Sequence, residues 1–234
     1  MHAAADRLKM EKKGDGSTVT LQALRDVFNT PAWADLKKEA SESRITKLIS
    51  SSVFKSSSGD IDVNTLILFG VLNCPADARH KSQALYPCLQ EGGPTKQQFI
   101  SAGDKDIKQI IQKMMYLTTV DLAKLMAEVD QSTAMDLEDR QEEIDYALED
   151  TIELNYLNPL YGNISKMSYE EWINASEKAE NINLVWYDPQ AVRMLTLHRA
   201  GITANDGVGA DKADFDAFTE LCTLHKINLT NEEV

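Results

Sequence analysis

Residues 63–72 read VNTLILFGVL and are apolar nearly all round. A helix of that composition must be buried on every side or covered by a partner. It follows directly on SSSGDID (56–62), where Gly59 supplies a turn and Ile61 a β-branched residue before the helix begins. A helix without a polar face, launched from a tight polar turn, cannot stand alone. Other helices must surround it, and the rest of the chain is patterned to supply them.

Residues 20–28, TLQALRDVF, place Leu21, Leu24, Val27 and Phe28 on one face, and Pro31 ends that pattern. SESRITKLISSSVF (41–54) carries Ile45, Leu48, Ile49 and Val53 on a stripe behind a serine-rich start able to cap. CPADARHKSQALYPCL predicts a turn and a short helix stopped by Pro87, and EGGP (91–94) predicts a turn. TKQQFISAGDKDIKQIIQKMMYL predicts a long helical stretch interrupted near Gly103, with Phe99, Ile107, Ile110, Ile111, Met114, Met115 and Leu117 as its apolar positions. Further helices are expected over 119–129, 135–154, 168–182, 188–202 and 214–227, with a loop at NPLYGN (158–163). In the last helix, Phe215, Phe218, Leu221, Cys222 and Leu224 form the apolar side. TANDGVGADKAD (203–214) reads as a linker. It lacks the GxxxxGK[ST] spacing of a phosphate loop.

The chain has 234 residues, enough for a sizeable core. Its formal charge of −13 argues against direct binding to nucleic acid or anionic membranes, since neutralising phosphates needs clustered Lys and Arg. LILFGVL (66–72) is the longest apolar run, too short to span a bilayer. Three scattered cysteines, Cys74, Cys88 and Cys222, give no CxxC and no disulfide framework, which points to a reducing, cytoplasmic setting.

Four junctions repeat a polar loop, a residue for a short bridge, and a helix: DGSTVTLQAL, SSGDIDVNTL, EGGPTKQQF and YGNISKMSYEEW. Their arrangement resembles the four-EF-hand calcium sensors, the neuronal calcium sensor, calcineurin-B-like and calaxin-like group. GDIDVNTLILFGVLNCPADARHKSQALY and MSYEEWINASEKAENINLVW carry the resemblance best. It implies an all-α fold of two EF-hand-like lobes, with an N-terminal pair over 1–74 and a C-terminal pair with the acidic helix over 75–187. A helical extension over 188–234 completes it.

A calcium loop needs carboxylates near positions 1, 3 and 5, Gly at 6 and a bidentate Glu at 12. With Ile61 at position 8, position 1 is Phe54, position 3 Ser56, position 5 Ser58 and position 12 Thr65. With Val19 at position 8, positions 1 and 12 are Lys12 and Ala23. The third junction puts Pro94 at position 8 and Gln98 at 12. The fourth, with Met167 at 8, keeps Glu171 at 12 but has Leu160 and Gly162 at 1 and 3. Each departure removes charge that the ion needs, so no metal site and no cofactor are expected.

What remains of the sensor pattern is its apolar groove. The resemblance implies that Leu66, Ile67, Phe69, Val71, Phe99, Met114, Met115 and Trp172 line it. The partner would be a protein, an amphipathic helix or a filament subunit, with no nucleic acid and no membrane. Alternatively an outside helix is unnecessary, and the helix 214–227 folds back as an internal ligand. No HExxH, Cys/His cluster or nucleophile–base pair points to an enzyme. The acidic stretch 136–153, with nine acids and one Arg, reads as a solvated helix face. The functional expectation is therefore a non-catalytic structural protein acting by protein–protein interaction in a cytoskeletal or ciliary assembly. The alternative is a regulatory sensor that switches a target on calcium binding.

Overall fold

A computed structural model describes residues 18–28, 47–89, 99–130, 137–178, 187–206, 210, 212–225 and 227. The expectations that rest on Lys12, Pro31, the start of 41–54, EGGP, Pro94 and Gln98 lie outside them.

The fold is all-α, with two short antiparallel strand pairs among the described residues, and residues 47–50 are helical besides the elements named below. In chain order these are β1 (Thr18–Val19), α1 (Leu21–Phe28), β2 (Ile61–Asp62), α2 (Val63–Asn73), α3 (Ala78–Leu85), β3 (Phe99–Ser101), α4 (Lys105–Thr118) and α5 (Val120–Asp130). They continue as α6 (Gln141–Thr151), α7 (Asn158–Tyr161), β4 (Lys166–Ser168), α8 (Tyr169–Lys178), α9 (Pro189–Arg199) and α10 (Lys212–His225).

The chain divides into two compact units. Unit 1 comprises residues 1–67 and 124–134, and unit 2 comprises 68–123 and 135–234. Residues 188–234, expected as an extension, fall in unit 2. In unit 1, β1 pairs with β2, setting Val19 opposite Ile61. Both side chains are buried, together with Leu24, Ile49, Phe54 and Val63. Ser52–Phe54 forms a single 3₁₀ turn before the loop. Its backbone N–H and hydroxyl at Ser52 both donate to the Glu128 carboxylate, at 2.9 and 2.5 Å, which ties α5 residues 124–130 into this unit.

In unit 2, β3 pairs with β4 and sets Ile100 opposite Met167, both buried. Helix α8 packs on α3, and α9 packs on both α4 and α6. The long helix over 141–161 is not uniform. Its middle, Ile152–Leu157, is a π-helical segment, which turns Asn155, Tyr156 and Leu157 into the core.

Three expectations are corrected. Phe99–Ser101 is extended rather than helical, and its Ile100 pairs with Met167. NPLY is helix, not loop, because Pro159 stands in a first turn where no backbone N–H is needed. Leu224 is 74% exposed and does not join Phe218 and Cys222 in the core.

Candidate functional site

The described parts of the four loop–helix junctions are held by their own polar groups. In the first, Thr20 Oγ1 accepts from the Ala23 N–H at 3.2 Å and so caps α1. In the second, Gly59 takes φ +84°, and the Gly59 N–H donates to the Ser56 carbonyl at 2.9 Å. Ser56 donates its N–H and hydroxyl to the Asp60 carbonyl at 2.8 and 3.1 Å, and its hydroxyl lies 2.9 Å from that of Ser58. The serines thus bind one another and the turn. Asp62 accepts from the N–H groups of Asn64 and Thr65 and from the Thr65 hydroxyl, at 2.9, 3.2 and 3.0 Å.

The third and fourth junctions use an acid three residues after the strand partner. Asp104 accepts from the Ser101 N–H at 2.9 Å. Glu171 accepts from both the N–H and the hydroxyl of Ser168 at 2.8 Å, and its own N–H returns to Ser168 Oγ at 3.4 Å. This is a capping box. Hydrogen bonds from the Ser168 backbone, then from its hydroxyl, hold the Glu171 carboxyl below its ordinary range. Glu171, expected as the one surviving position-12 acid, therefore has its carboxylate turned to its own helix start. Among the described residues no three His, Cys, Asp or Glu side chains converge on a point.

The expected groove residues differ in access. Met114, Met115 and Trp172 are fully buried and Val71 nearly so. Leu66, Ile67 and Phe69 on α2 are half-buried, and Phe99 is 50% exposed. The structure does not gather these eight on one open surface. Met114 and Met115 lie on α4, against which α9 packs.

Helix α9 was legible as a helix but not as a core element. Ala191 to Leu197 are all buried, including Arg193 at 6% exposure. Three polar anchors hold it. At its start, the Tyr187 phenol shares a 2.5 Å hydrogen bond with the Ser82 hydroxyl, and Lys81 Nζ donates to the Tyr187 carbonyl at 2.7 Å. Burial raises the Tyr187 pKa to about 12, so the phenol stays protonated. In the middle, Arg193 Nη1 donates to the Thr118 carbonyl at 2.8 Å. At its end, Arg199 Nη2 donates to Asn155 Oδ1 at 2.9 Å, and Asn155 faces inward because of the π segment. The interruption Asp188-Pro189 carried the only sequence signal: a capping Asp before a first-turn Pro.

No protein-family model, curated protein or solved structure matches this chain.

Proposed function

We propose that this protein is a non-catalytic, EF-hand-like adaptor that holds a helical or filamentous protein partner without needing calcium. A cytoskeletal or ciliary assembly is the setting its resemblance suggests. The observation that carries the reading is the coupling of four loops in two antiparallel pairs, Val19 with Ile61 and Ile100 with Met167. The first, second and fourth junctions cap the helix they lead into, through Thr20, Asp62 and Ser168 with Glu171, while in the third Asp104 closes back on Ser101. Two such pairs, one in each unit, support the two-lobed EF-hand-like reading. Among the described loop side chains, Ser56 and Ser58 close their turn and Glu171 caps its helix, which supports a folded form organised without a cation. The partner-facing residues are Leu66 and Ile67, which belong to unit 1 and keep part of their surface in water. A stable interface there buries on the order of 1,000 Å² in total, supplied mainly by apolar burial.

The test is titration of the full chain with melittin, a basic amphipathic helical peptide, in calcium and in chelator. The expected result is one binding event with equal affinity in both, lost in Leu66→Asp and Ile67→Asp and retained at raised salt. Binding that requires calcium would favour a regulatory sensor instead. No binding in either condition would remove the adaptor reading.

A further inference from the structure

We infer that α9 is a permanent occupant of the cleft between α4 and α6, so that unit 2 is a self-complemented lobe that admits no external helix there. The packing comes first. A helix with seven consecutive buried residues, seated on both α4 and α6, fills that cleft with the chain's own apolar side chains. An external helix would have to displace all of them.

The anchors decide whether it could. Displacing α9 breaks a hydrogen bond at each of its ends and one at its middle. Each break leaves a group that was buried with a partner: Ser82, the Thr118 carbonyl and Asn155. A purely apolar occupant can be exchanged for another of similar shape. An occupant hooked by a guanidinium to a specific carbonyl cannot, because the incoming helix must carry a cation at the same turn. The hooks also fix register. Arg193 meets the last residue of α4, and Arg199 meets the one inward-facing asparagine of the π segment. This inference goes beyond the adaptor reading and does not require the loops to be EF-hands.

It is tested by native-state hydrogen exchange on the full chain, together with a labelled synthetic peptide of residues 187–200 added in trans. The amides of 189–199 are expected to exchange only through the same opening that exposes α4 and α6, at rates within about threefold of theirs. The peptide is expected not to incorporate over a day. The variant Arg199→Ala, whose side chain is only half-buried, is expected to accelerate exchange in all three helices by the same factor. Exchange in 189–199 about tenfold or more faster than in α4 and α6 would overturn the inference. So would uptake of the peptide, or acceleration confined to α9 in the variant. Failure of melittin to bind would count against the adaptor reading but would leave this exchange pattern unchanged.

Discussion

Arg193 is a charged side chain held inside unit 2 at 6% exposure. Burial lowers its pKa, and its hydrogen bond to the Thr118 carbonyl contributes to offsetting the loss of water. Arg193→Ala should therefore destabilise unit 2 by about 2–4 kcal/mol, read by urea denaturation, because it removes a cation and orphans a buried carbonyl. A change below about 0.5 kcal/mol would mean the carbonyl finds water instead. Gly59 presents a different cost. Its φ of +84° is closed to other residues, yet a methyl added there would touch nothing within 4 Å. Gly59→Ala should cost about 1–2 kcal/mol from backbone strain alone. Asp206 gives a pH signature. The Thr203 backbone N–H, then Arg140 and the Thr203 hydroxyl, hold its carboxyl at about 2, against an ordinary 3.8. A depressed carboxylate stabilises the fold above its unfolded pKa and loses that contribution as pH falls through the folded value. The melting-temperature difference between wild type and Asp206→Asn should thus be full above about pH 5 and vanish near pH 2.

At the scale of elements, the loop pairs are the units that hold the helices in place. Ile100 and Met167 are opposed across β3–β4 and wholly buried. Ile100→Ala and Met167→Ala should each cost about 2–4 kcal/mol, and the double variant should fall short of their sum, as touching residues do. Strict additivity would mean the two strands do not act as one element. This is also where sequence reading reached its limit. Val19, Ile61 and Met167 were legible because each stands between a polar turn and an apolar helix. Ile100 was not, because Gly-Gly-Pro at 92–94 is a stronger turn signal than the short Ser-Ala-Gly-Asp that follows Ile100. The π segment was illegible for a physical reason: one extra residue per turn leaves the apolar spacing on either side nearly unchanged. The helix over 158–161 was hidden by its own Asn and Pro, which read as a break unless the preceding turn is known to be helical.

At the scale of the whole molecule, composition limited the partners sooner than it suggested any. A charge of −13 favours basic or amphipathic proteins and disfavours phosphate backbones. The requirement stated by VNTLILFGVL, a helix needing cover, is met unevenly: Leu68, Val71 and Leu72 are buried, while Leu66, Ile67 and Phe69 retain access to water. In unit 2 it is α9 that packs on α4 and α6, while α10 packs on α9. The burial of α9 was not legible because Arg193, His198 and Arg199 interrupt its apolar pattern. The central claim is that loops closed by their own polar groups organise this fold without a cation. Hydrogen exchange of the full chain, recorded with about 1 mM calcium and again with excess chelator, tests it most directly. The account predicts superimposable protection in both conditions. Calcium-dependent protection over residues 54–65 or 160–171 would contradict it.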